Sequence, residues 1–193
     1  MNWEWVSWIV LVGVLIAAAI SDLRRGTVSN WLTYPAIVVG LALGALEGAA
    51  AGSAKDEFLN HILGFGFGFG VLFIAYLVGG MGGGDVKLMA AVGAFLGWQD
   101  WATVHAMFYS FLTGAAVGLI VLVWKGEVRQ SMWRLLRALR ILPLPTATMN
   151  DAVPVATLRV PFGFAVCIGT MWYLAETIAG GTLWDGVGRL FGA

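Results

Sequence analysis

Long apolar runs broken by short polar links dominate the chain. A helix that crosses the hydrocarbon of a bilayer needs roughly 17–25 mostly apolar residues. By that measure the pattern predicts six helices, at 5–20, 31–46, 58–78, 86–98, 102–124 and 160–179, the fourth short for a full span. A polar link, 21–30, separates the first two. The third run contains Gly64-Phe65-Gly66-Phe67-Gly68-Phe69-Gly70, whose period of two resembles a strand. Its length and setting favour a helix instead, with Gly64 and Gly68, or Gly66 and Gly70, as small-residue pairs that let a neighbour pack closely. The one long polar connection is 125–159. Within it, 128–142 interleaves Arg129, Arg134, Arg137 and Arg140 with Met132, Trp133, Leu135, Leu136, Leu139 and Ile141. That alternation predicts a short amphipathic helix on an anionic inner leaflet, ended by Pro143 and Pro145. The fold class that follows is an all-α membrane protein, a single polytopic domain over 1–193.

Composition agrees. The chain is 60% hydrophobic and 11% charged, against about 25% charged in soluble domains. Zero formal net charge points to no nucleic-acid partner. The first residues carry no basic group and Arg24-Arg25 follow the first apolar run, which reads as a first membrane helix rather than a cleavable signal. With six spans and the N-terminus outside, the inside segments 21–30, 79–87 and 125–159 hold nine of the eleven Lys and Arg residues, leaving only Lys55 and Arg189 outside. That bias places the inside segments in the cytoplasm and the chain in the cytoplasmic (inner) membrane. Trp3, Trp5, Trp31, Trp98, Trp101 and Trp124 fall near predicted helix ends, where an aromatic belt sits. Cys167, alone in an apolar run, reads as a small buried hydrophobe.

Candidate chemistry lies in Gly79-Gly80-Met81-Gly82-Gly83-Gly84-Asp85-Val86-Lys87. An ionisable residue between apolar runs is a functional hypothesis by default. Glycines before it suggest a broken, water-reached segment. The structural alternative is a loop whose Asp caps the next helix. A second carboxylate, Asp22, is expected at the same membrane face, although it could equally pair with Arg24 or Arg25 in water. Two carboxylates sharing one water keep one proton between them, so that one accepts a proton from the water and the other donates to a peptide carbonyl. The pair titrates as a unit, and the sequence leaves acid and base unassigned. His61 and His105 have no carboxylate or cysteine at metal-ligand spacing, so both read as structural, and no metal or organic cofactor is expected. A different class of function, a small proton- or cation-coupled transporter using Asp22 and Asp85, would call for midplane carboxylates and an inverted repeat, and no such repeat is visible.

At these residues the chain resembles the type IV prepilin peptidases, membrane aspartic proteases of the GxGD class. The resemblance rests on Gly82-Gly83-Gly84-Asp85-Val86-Lys87-Leu88, on Asp22-Leu23-Arg24 with Asn30 eight residues after the Asp, and on Val160-Pro161-Phe162-Gly163-Phe164-Ala165. It covers nearly the whole chain in order and spacing. The resemblance implies that Asp22 and Asp85 are catalytic, that Gly82, Gly83 and Gly84 shape the backbone, and that Arg24, Asn30, Lys87, Pro161 and Gly163 support them. Presenilin-like enzymes share GxGD but set the partner Asp deep in a helix after a tyrosine, whereas Asp22 follows Ser21. Val28-Ser29-Asn30 stands where the family often has Ile-Pro-Asn, and Phe164 where it often has proline. Larger members carry an N-methyltransferase insertion with paired CxxC motifs. The link here is about ten residues without cysteine, which implies a peptidase of the short, single-activity branch. The implied substrate is a prepilin-like precursor with a short basic leader, a glycine before the cut and an apolar helix after it. Membrane lipid is the other partner, Glu127 and Asp151 are candidate contacts for the leader, and the oligomeric state is left open.

Overall fold

The computed structural model describes residues 3–79, 81–124 and 161–180. Six α-helices hold almost all of them: α1 Trp3–Arg25, α2 Asn30–Ala51, α3 Ala54–Leu77, α4 Gly83–Leu96, α5 Ala102–Trp124 and α6 Phe162–Ala179. A single 3₁₀ turn, Gln99–Trp101, precedes α5. The predicted amphipathic helix 128–142, with Glu127 and Asp151, lies outside the described residues. The chain divides into two units, residues 1–114 with 161–193, and residues 115–160. Of the second, the described part is the C-terminal stretch of α5, whose Trp124 is exposed at the helix end.

Five of these helices, α1, α2, α3, α6 and the turn running into α5, are long and apolar enough to cross a membrane. The fourth is not. With 14 residues, α4 rises about 21 Å, against a hydrocarbon thickness of about 30 Å. It is the core helix of the first unit. Val86 and every residue from Leu88 to Phe95 are buried, and a helix apolar all round belongs in the interior. α1, α2, α3 and α6 all pack on it.

Small residues make this packing possible. In α3 the buried face is His61, Gly64, Gly68 and Leu72. A Cβ built on Gly68 would lie 2.6 Å from the Met89 carbonyl oxygen, and one on Gly64 would lie 2.5 Å from the Gly97 carbonyl carbon. Gly64 and Gly93 meet backbone to backbone. Gly66 and Gly70 face open space, with nothing within 4 Å of a Cβ. Of the two glycine pairs in the sequence, then, the 64/68 pair packs and the other does not. α2 presents a matching stripe, Ala36, Gly40, Gly44 and Gly48, all buried, with Gly40 2.9 Å from the Phe95 ring by the same construction. Large apolar side chains such as Ile9, Val38, Ile74 and Leu77 point outward. At the seams that α2 and α3 make with α4, small residues on the buried face let the backbones approach, as expected when lipid is the solvent.

α2 runs on to Ala51 rather than 46 and α3 starts at Ala54 rather than 58, and three further boundaries near the carboxylates depart from the hydropathy pattern. α1 runs to Arg25 rather than ending near residue 20, because the last turn keeps its backbone bonds and Arg24 and Arg25 complement the negative end of the helix. Gly26, at φ 65°, then ends it, its N–H donating to the Asp22 carbonyl at 2.7 Å. α4 begins at Gly83, so Gly83, Gly84 and Asp85 form its first turn, and the expected break is confined to the residues between Leu77 and Gly83, with Gly79 at φ 79°. Orphan N–H groups are normal in a first turn, so weak helix formers cost little there. Pro161 precedes α6 at the N-cap instead of lying in its first turn.

The contrast within α3 is testable. Gly68→Leu should destabilise the protein by about 1–3 kcal/mol through overpacking, and Gly70→Leu should leave it nearly unchanged. Thermal unfolding in one detergent compares the two, and equal losses would show that the α3–α4 seam is not what glycine serves.

Candidate active site

Asp22 and Asp85 come together through three helix ends and one link. Asp22 occupies the last turn of α1 and is only 7% exposed. Its Oδ2 accepts the Gly163 N–H at 2.7 Å and the Phe164 N–H at 3.4 Å. These are first-turn amides of α6, the donors that an N-cap side chain ordinarily satisfies. Pro161, the N-cap residue itself, makes no such bond, so α1 caps α6 from outside. A side chain at Gly163 would crowd both neighbours, since a Cβ there would stand 3.0 Å from Asp22 Oδ2 and 3.1 Å from Val28 Cγ2. No ion pair joins Asp22 to Arg24 or Arg25, both of which are exposed.

Asp85 is the third residue of α4, outside the five membrane-length helices. Its backbone N–H donates to the Gly82 carbonyl at 3.1 Å, and its carboxylate folds back toward Gly82, where a Cβ would stand 3.1 Å from Asp85 Oδ2. The carboxylate thus lies beside the N-cap glycine, where the first-turn N–H groups lack helical partners. Burial first, and the nearby Asp22 charge second, raise the Asp85 pKa above the ordinary carboxylate range.

Val28 lies between the two. It is 7% exposed, and its backbone N and O would each be 3.3 Å from a Cβ on Gly84. The link 26–29 is therefore wedged between the starts of α4 and α6. Ser21 Oγ, donating to the Thr27 carbonyl at 2.9 Å, holds that link to α1. Lys87 Nζ donates to Asn30 Oδ1 at 2.8 Å and sits 4.9 Å from the centre of the Tyr34 ring, tying α4 to the first turn of α2.

Asp22, Asp85, Gly82, Gly83, Gly84, Asn30, Lys87, Pro161 and Gly163 thus fall in one cluster. Arg24 stays at the surface. Tyr34 joins the site through Lys87, and Val28 takes a packing role that the resemblance does not assign to it. Tyr34 follows Asn30 by four residues, the spacing that puts two side chains on one helix face, so that signal was available. The wedge role of Val28 had no local signal. His61 is buried, its Nδ1 2.8 Å from the Ala94 carbonyl oxygen, and His105 lies against Tyr173. Among the described residues no group of three or more His, Cys, Asp and Glu is arranged to hold a metal ion.

Fold and site together define a multi-pass helical membrane protein with a carboxylate pair assembled from helix ends. The chain belongs to the type IV leader peptidase family, whose sequence model matches residues 9–119. Similar curated proteins include a prepilin leader peptidase/N-methyltransferase of Burkholderia pseudomallei, 34% identical over 122 residues, which are 62% of this chain and 38% of that one. The protein of that name in Aeromonas hydrophila is 36% identical over 126 residues, 63% of this chain and 42% of the other. In Myxococcus xanthus the figures are 30% over 129 residues, 65% and 37%. The chain spans about two fifths of the length of these relatives. No solved structure matches it. The family match covers both carboxylates and stops short of Pro161 and Gly163, which the fold brings back to Asp22.

Two outcomes follow. A carboxyl whose pKa is raised on folding stabilises the fold fully below its unfolded pKa, and that contribution is lost as pH rises through the folded value. Asp85→Asn should therefore be more thermostable than the wild type at neutral pH, with the gap closing in acid; melting curves across pH check it. In a double-mutant cycle, Lys87→Met and Asn30→Ala should couple by about 1 kcal/mol, and additive losses would mean the bond contributes nothing.

Proposed function

We propose that this chain is an aspartic endopeptidase that removes the short basic leader from prepilin-like precursors, with Asp22 and Asp85 as its catalytic pair. The observation that carries the reading is the placement of the two carboxylates at neighbouring helix ends, with Val28 packed against both Gly84, next to Asp85, and Gly163, which Asp22 caps, and the Asp22 charge acting on Asp85. Family membership supports leader peptidase chemistry, and the relatives' printed names supply the prepilin class of substrate.

Two backbone N–H donors and the positive end of α6 complement a negative charge on Asp22. Asp85 has burial and a negative neighbour against ionisation. In the proposed division of labour Asp22 takes a proton from water as its oxygen bonds to the scissile carbonyl carbon. Asp85 gives its proton to the carbonyl oxygen. Collapse of the tetrahedral intermediate breaks the C–N bond, the leaving nitrogen takes the proton held by Asp22, and Asp85 regains its own. Gly82, Gly83 and Gly84 shape the backbone beside the pair, while Asn30, Lys87, Pro161 and Gly163 hold it in place.

Counted over six crossings, with α4 as the short one, the Lys and Arg bias supports cleavage at the cytoplasmic face of the inner membrane, with the N-terminus outside. Only residues 26–29 separate α1 from α2, and Cys167 is the one cysteine. Both favour a peptidase without methyl transfer. The carboxylates at helix ends weigh against a transporter, which would hold them at the midplane.

The test is co-expression with a prepilin-type precursor, read by gel mobility, N-terminal sequencing and product mass. The wild type should cut after the leader glycine and leave the new N-terminus unmethylated. Asp22→Asn and Asp85→Asn, at matched abundance, should each lose at least about 100-fold in rate. Continued cutting by both variants rules out the aspartyl mechanism, and a methylated product rules out the single activity.

A further inference from the structure

Far from the carboxylate pair, the other end of the first unit holds a cavity of about 360 Å³. Glu4 lines it, and residues 4 and 22 of α1 are about 27 Å apart along the helix axis. Four carboxylates from separate elements face it: Glu4 of α1, Glu47 of α2, Glu57 of α3 and Asp100 of the 3₁₀ turn. Among the described lining residues there is no lysine or arginine. Asn60 organises this rim. Its Oδ1 accepts the Trp98 and Gln99 N–H groups at 2.8 and 2.7 Å, and its Nδ2 donates to Glu57 Oε2 at 3.2 Å.

Ser7 supplies an observation of a different kind. It lines the same cavity, is 3% exposed, and its hydroxyl has no hydrogen-bond partner. Buried polar groups are nearly always satisfied, so an orphan hydroxyl on a cavity wall indicates a missing partner. Trp8 and Tyr173 add aromatic surface to the wall.

We propose that this cavity binds an organic cation: an alkylammonium or guanidinium group on an aliphatic stem. Charge selects a cation. Size and geometry select an organic one, because no three of the described acidic or histidine groups converge on a single ion, while the volume falls in the range of small-molecule sites, about 300–1,000 Å³. The stem lies on Trp8 and Tyr173, the charged head meets the carboxylates, and the Ser7 hydroxyl accepts an N–H. A free polyamine and a lysine side chain of a polypeptide present the same chemistry.

The test uses the full chain in lipid nanodiscs and equilibrium dialysis at fixed ionic strength. The probes are spermidine and Nα-acetyl-lysine amide. Saturable binding of either supports the site. Spermidine alone identifies a free polyamine as the source, acetyl-lysine amide alone a polypeptide, and binding of both a site that reads the head group. Glu47→Gln with Glu57→Gln should raise the Kd about tenfold or more, and Ser7→Ala should raise it less. Asp56→Asn, exposed and off the cavity, should leave it unchanged. Failure of the wild type to saturate with either probe overturns the proposal, whatever the variants do. So does an Asp56→Asn effect as large as that of the double variant, which would mark diffuse attraction to a negative surface. Melting curves on each variant separate lost binding from lost fold.

Discussion

One hydrogen bond organises the site: the Asp22 carboxylate accepting the Gly163 N–H across 141 positions of chain. α6 starts after a proline that does not cap it, so its first amides need an acceptor from elsewhere. α1 delivers one because its final turn stays helical past the apolar run. The same bond places a negative charge beside α4, and that charge, after burial, disfavours a second one on Asp85. Capping, packing and the electrostatics of the pair are therefore one arrangement. A change that moves α6 also moves Asp22.

Such an arrangement sets folding against the proposed chemistry. A half-buried carboxyl near another carboxyl is a poor choice for stability, and stability is commonly given up at functional sites. The surroundings compensate with ties that carry no reacting group. Lys87 to Asn30 and Tyr34 fastens α4 to α2, and Ser21 to Thr27 fastens the link to α1. Val28 fills the space left between them.

Much of this was legible in the sequence. The start and end of α5 at 102 and 124 follow from hydropathy, because one apolar run there ends at a tryptophan. Asp22 and Asp85 stood out as charges against apolar neighbours. What hydropathy could not carry was the helical state of charged or glycine-rich ends: residues 21–25 look like a link and 83–85 like a break, yet backbone bonding continues through both. Nor could it carry the cap on α6, since a carboxylate bonded to a distant amide leaves no spacing to read. The stripe Ala36, Gly40, Gly44 and Gly48 is written in the sequence at four-residue spacing, the period that puts small residues on one helix face.

The seam between α3 and α4 has a consequence for how the protein can change over time. Where Leu11 and Leu15 fill the interior, a side chain can lose or gain a methyl group in small steps, and neighbours can adjust in either direction. Where Gly64 meets Gly93, nothing smaller than hydrogen exists to try. Every mutation at those positions adds bulk against a carbonyl that has no alternative rotamer. The α3–α4 distance is thus fixed from one side only, and variation in this chain is channelled away from that seam toward the lipid-facing faces of the same helices.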